Sequence, residues 1–169
     1  MGLACFSSSL LVYVLNHSSA LAIPTIPPQK GGNSFGQFSS GVDQQPGGIV
    51  QFELKDSVQK LSATENSVEI QTAGTYLIIA SPQVTAVKDW GCLNAWIVVN
   101  DKDKKNSGVR ICQAKAGNTN VVVSQAIMAL KKGDKVQIKT SGQNTRLDAI
   151  QPNGEPLIPS IILTVLGLY

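Results

Sequence analysis

The sequence predicts an all-β domain, an antiparallel sandwich or barrel, and three observations carry that expectation. Gly, Ser, Thr, Val and Ile are plentiful while charged residues make up only 15% of the chain, a composition suited to strands rather than helices. After Gly48, short runs of alternating apolar and polar residues recur between turn residues, and no stretch shows the period of an amphipathic helix. At 169 residues the chain is long enough to close one core and carry extensions.

The elements follow in order. Residues 1–22, "MGLACFSSSLLVYVLNHSSALA", hold no charged side chain, an apolar run from Leu10 to Leu15 and an Ala20-Leu21-Ala22 ending. They are expected to be a signal peptide cleaved after Ala22, which implies a secreted, extracellular or cell-surface protein. The alternative is a disordered or buried N-terminus, and the missing basic residue near the start speaks for it. No segment offers the roughly 20 apolar residues of a spanning helix, so no membrane span is expected. Cleavage would remove Cys5 and the one histidine, His17, leaving Cys92 and Cys112. Without histidine, His-based triads and His zinc sites are excluded.

Residues 23–48 are rich in Pro, Gly, Ser and Gln and read as a flexible leader. Their glycines do not recur at every third position, so this is not a collagen stalk. The domain is then expected over 49–169. "IVQFEL" places Val50, Phe52 and Leu54 on one face, and "SVEIQ" does the same with Val68 and Ile70. Gly74 opens "TYLIIASPQVTAV", where Pro82 predicts a bulge or an edge. "CLNAWIVVN" and "SGVRICQA" flank a charged turn, and "NVVVSQAIMAL", "DKVQIKT" and "PSIILTVLGLY" complete the strands. Lysines are scattered and the net charge is only +3, so no nucleic-acid partner is expected.

An even cysteine pair in an exported chain predicts a disulfide. If the strands around "NDKDKKNSG" pair Cys92 with Cys112, Leu93 faces Ile111, Asn94 faces Arg110, Ala95 faces Val109 and Ile97 faces Ser107. The apolar residues then gather on one side, with the cysteines and Trp96 on the other. Such a link would stabilise by roughly 3 kcal/mol in the chain-entropy model. Two free thiols are the alternative. Thiolate catalysis is disfavoured because no histidine remains to activate it.

Two strands, "NVVVSQAIMAL" and "IILTVLGLY", are apolar on both faces: Ile161, Leu163 and Val165 on one side, Ile162, Leu166 and Leu168 on the other. Either a long loop covers the second face or another subunit does.

Three segments in order resemble the globular head of complement component 1q and the related tumour necrosis factor-like jelly rolls. "IQTAGTYLII" resembles the family's Gly-x-Tyr strand through Gly74 and Tyr76. "AIMALKKGDKVQI" resembles its strand, Gly-Asp corner and new strand through Leu130, Gly133, Asp134 and Val136. "VLGLY", with Gly167, resembles its closing strand. "IVQFEL" would be the first strand, and the resemblance covers roughly residues 48–169. Ile78 and Val165 stand where animal members often carry Phe, which points to a divergent branch, like the heads of bacterial spore-surface proteins. The stalk usual in those groups is missing.

The resemblance implies a ten-stranded antiparallel jelly roll that assembles as a homotrimer, with Val121, Val123, Ile127, Ile162, Leu166 and Leu168 at the interface. It also implies a non-enzymatic module recognising a protein or glycan surface through loops and outer faces. The candidate contacts are Trp96 with Arg110 and the charged turn Asp101, Lys102, Asp103, Lys104 and Lys105. The plainer readings are a packed aromatic for Trp96 and a solvated hairpin end for the turn. Some members bind calcium, but Asp101, Asp103 and Asn106 lie among three lysines and lack the Gly and Glu of a calcium loop. No metal or other cofactor is therefore expected. A structural surface, matrix or coat protein whose trimer is itself the function is the alternative. An enzyme is disfavoured, since no spacing unites a nucleophile with a base.

Overall fold

The computed structural model describes residues 33–168, and among these there are thirteen strands and no helix. They form two antiparallel sheets. The first contains β1 (Phe35–Ser40), β2 (Leu54–Gln59), β5 (Gly74–Ala86), β10 (Ser124–Leu130) and β13 (Ile161–Gly167) in the order β10-β5-β13-β1-β2. Two short strands, β9 (Thr119–Val121) and β12 (Thr145–Leu147), pair with the far half of β5. The second sheet has the order β3 (Leu61–Ala63), β4 (Val68–Ile70), β11 (Lys135–Gln143), β6 (Gly91–Val99) and β7 (Lys102–Asp103). There β8 (Val109–Gln113) also pairs with β6. The expected signal peptide, and residues 23–32 of the expected leader, lie outside the described residues.

Alternation on each strand sends one set of side chains between the sheets. Phe38, Tyr76, Ile78, Ile161, Leu163 and Val165 of the first sheet meet Val68, Ile70, Leu93, Ile97, Val136 and Ile138 of the second in one buried cluster. Most are wholly inaccessible, so the core is closed on both sides.

The structure corrects several expectations. Residues 33–48 are not flexible leader: Phe35–Ser40 is a strand paired with both β13 and β2, and Phe38 is wholly buried. Its inward positions are Gly36, Phe38 and Ser40, so a single apolar side chain had to carry the whole pattern. Gly36 is there for space, since a Cβ at that position would stand 2.8 Å from the Phe38 ring. "IVQFEL", conversely, is no strand and not the first. Ile49 makes a lone bridge to Lys139 and Val50 N donates to Ile138 O at 2.9 Å, in the second sheet. By Leu54 the chain has entered β2 of the first sheet. Val50 and Phe52 point into the core as expected while the backbone crosses between sheets, and Leu54 emerges 38% exposed.

Pro82 marks neither the expected bulge nor an edge: it lies within the continuous central strand β5, with the register unshifted on both sides. Val122 N donates to Pro82 O at 3.2 Å, and proline has no N–H to return. Beside this one-sided pair the expected single strand "NVVVSQAIMAL" divides into β9 and β10. The "LKKGDK" corner is a tight turn closed by Asp134 N donating to Lys131 O at 3.1 Å. Gly133 sits at the third position with φ +88°, as a type II turn requires.

Candidate binding face

Strand β6 is the spine of the second sheet's outer face. Leu93, Ala95 and Ile97 point into the core, so Cys92, Asn94 and Trp96 point outward. Pairing with β8 sets Cys92 opposite Cys112 and Asn94 opposite Arg110; pairing with β11 sets Trp96 opposite Lys139, Asn94 opposite Ser141 and Cys92 opposite Gln143. The hairpin register is the expected one for all four pairs from Cys92–Cys112 to Ala95–Val109. The cysteines are joined, with Cα atoms 4.1 Å apart. Beyond Ala95 the ladder ends, and Ser107 meets Ile97 through its side chain: Ile97 N donates to Ser107 Oγ at 3.0 Å.

The charged turn has its own geometry. Asn100 and Asp101 both adopt positive φ, 52° and 60°, between the paired Val99 and Lys102, which is the two-residue type I′ hairpin. This folds Asp103 back over the sheet, where its carboxylate accepts Trp96 Nε1–H at 2.8 Å. On the other flank Lys139 Nζ stands 5.6 Å from the Trp96 ring centroid, within cation–π range. The indole is thereby braced across the sheet.

Two adjoining hollows mark this face. One, of about 460 Å³, is lined by Trp96, Asp103, Lys104, Asn106 and Arg110 among others. The second, of about 310 Å³, is lined by Cys92, Asn94, Arg110, Gly142 and Gln143. Asn94 and Arg110 border both. Four of the expected contact residues, Trp96, Asp103, Lys104 and Arg110, are thus brought together. Asp101, Lys102 and Lys105 are exposed at the hairpin end and line neither hollow.

The ion pairs among the described residues are both made by Arg146, to Asp148 at 2.8 Å and Asp43 at 3.4 Å. Arg110 is in none of them; its Nε donates to Cys112 Sγ at 3.4 Å. Sequence reasoning set Asn94 on this face opposite Arg110, but missed Lys139 and Ser141 as members of it. It also missed Trp90, which is 74% exposed just before β6 with φ +59°. A bulky side chain in that backbone region is uncommon, and Trp90 is anchored there by donating its N–H to Ala114 O at 3.3 Å.

The opposite outer face, on the first sheet, carries an apolar row beside a mostly polar one, Gln125, Ile79, Thr164 and Gln37. Ile127, Leu77, Leu166 and Phe35 are successive partners across four strands, and Ile162 and Leu168 share that side. Ile127 is 66% exposed, and Val121 and Val123 are exposed beside it in sequence.

A two-sheet antiparallel sandwich with this strand order is the jelly roll of complement component 1q and tumour necrosis factor-like domains, and the chain has that fold. Among solved structures it is similar to the globular domain of zebrafish complement 1qA protein, with a TM-score of 0.54 and 16% identity. The match covers 82% of this chain and 98% of that one. No protein-family model and no curated protein matches the sequence.

Proposed function

We propose that the chain is a secreted, non-enzymatic binding module that forms a homotrimer and recognises a protein or glycan surface. The observation that carries this reading is the apolar row Ile127–Leu77–Leu166–Phe35 on the outer face of the first sheet. A row of this kind left in water is unfavourable, and closing three copies around it removes it from solvent without leaving an open edge for further growth. Val121, Val123, Ile162, Leu166 and Leu168 belong to the same interface. The likeness to a complement head supports the same assembly, and a disulfide on the surface fits an oxidising compartment.

The two outer faces lie on opposite sides of the sandwich. Assembly through the first sheet therefore leaves the Trp96–Arg110 face of each subunit directed outward, where three copies would act together. Light scattering on the full chain tests the assembly: the expected mass is three chains, and a monomer at micromolar concentration would overturn it. An alternative role as a structural coat protein shares the trimer but predicts no saturable soluble ligand.

A further inference from the structure

We propose that the two hollows on the outer face of the second sheet form one cleft that binds an acidic saccharide. This deepens the binding-module reading and rests on it for the outward orientation of the face. The hollows share Asn94 and Arg110, and run from Trp96 to Cys92 along β6, a rise of about 13 Å at ~3.3 Å per residue. That is room for a short oligosaccharide laid along the strand.

The chemistry of the lining matches such a ligand from end to end. Trp96 supplies an aromatic wall whose polar edge is already satisfied by Asp103; Lys139 stands over the ring on one side, which leaves the other for the C–H face of a sugar. In the centre, Asn94 gives one amide hydrogen to Ser141 Oγ at 3.1 Å. Its carbonyl oxygen and second amide hydrogen remain to bond sugar hydroxyls, while Ser141, which lines neither hollow, fixes the amide's orientation. Arg110 borders both hollows outside any ion pair, so its planar fork can take a carboxylate or sulfate through two parallel hydrogen bonds. Lys104 on the rim and Lys139 beside Trp96 add positive charge, while the one lining carboxylate, Asp103, is engaged by the indole. An acidic peptide would satisfy Arg110 but makes poorer use of an aromatic wall next to a side-chain amide.

The test is surface binding of the full chain to four probes: a heparin-derived tetrasaccharide, a hyaluronan tetrasaccharide, maltotetraose and polyglutamate. Saturable binding is expected for at least one acidic saccharide, weakening as salt rises from about 50 to about 300 mM. The sulfated and the carboxylated probe distinguish which oxyanion is preferred. Arg110 is exposed, so Arg110→Gln is expected to leave the melting curve unchanged and to weaken binding roughly tenfold, the loss of a charge-assisted hydrogen-bond pair. Trp96→Leu is expected to do the same, with its melting curve as the control for packing. Lys55→Gln, exposed on β2 of the other sheet, should leave affinity within about twofold. Equal loss in that lysine variant, equal binding of polyglutamate or maltotetraose, or no acidic saccharide bound would each overturn the proposal. A trimer that binds none of the four removes the cleft and leaves the assembly standing; a monomer that binds through Arg110 does the reverse.

Discussion

Asn100 and Asp134 clasp two turns together: Asn100 Nδ2 donates to Asp134 Oδ1 at 2.8 Å, while Asn100 Oδ1 accepts Lys135 N–H at 2.9 Å. The pair ties the β6–β7 hairpin to the Gly-Asp corner, whose Lys131 N donates to Asp134 Oδ2 at 2.8 Å. That backbone bond first, then the Asn100 amide, and then the charges of Lys104 and Lys131 hold the Asp134 carboxyl below its ordinary value. A depressed carboxyl stabilises the fold at pH above its unfolded value, about 3.9, and the contribution disappears as pH falls through the lower folded value. Asp134→Asn should therefore be less stable than the parent at neutral pH, with the gap closing below about pH 4. Urea midpoints across that range measure it, and a gap independent of pH would show that the charge is not what matters.

The Cys92–Cys112 link closes a separation of 20 residues between directly opposed strands. Replacing both cysteines by serine should lower stability by about 3 kcal/mol while β6 and β8 still pair through their inward residues. Chemical unfolding quantifies the loss. A non-reducing tryptic digest should yield the two cysteine peptides as one linked species.

The hairpin register was legible because strand alternation has a period of two and a disulfide selects one register among the few that keep the core face apolar. The crossing of Ile49–Glu53 was half legible: alternation reports which side chains are buried, as for Val50 and Phe52, but not which backbone they pair with. β1 was hidden, because Gly36 and Ser40 share its inward face with Phe38 and read as loop residues. For the binding face, Trp96 and Arg110 could be placed together through the hairpin. Lys139 and Ser141 could not, since β11 reaches β6 from more than 40 residues away. Trp90 sits where the backbone turns left-handed, and no period describes such a position.

If the apolar outer row is the subunit interface, a charge placed in it should separate the subunits. Ile127 suits the test, because at 66% exposure its replacement leaves the core untouched. Ile127→Asp should reduce the mass in light scattering about threefold, through burial of an unpaired charge at the axis. Lys102→Asp, on the β6–β7 hairpin of the other sheet, should not change it. A trimer that tolerates Ile127→Asp would move the interface elsewhere.

The inclusion of β1 in the domain makes a prediction opposite to that of a leader extending to residue 48. Phe38 is wholly buried, and Gly36 has been kept small to admit its ring. The strand also covers the edge of β13 along six residue pairs, Phe35–Leu166 to Ser40–Ile161. Phe38→Ala should then cost about 3–5 kcal/mol, the range for removing a large side chain from a packed core. A chain beginning at Ile49 should lose that packing together with the β13 pairing, and should aggregate or remain unfolded when expressed. Were residues 33–48 only a tether, both changes would leave the melting temperature where it was. Thermal denaturation of the Phe38→Ala variant beside the truncated chain decides between these outcomes.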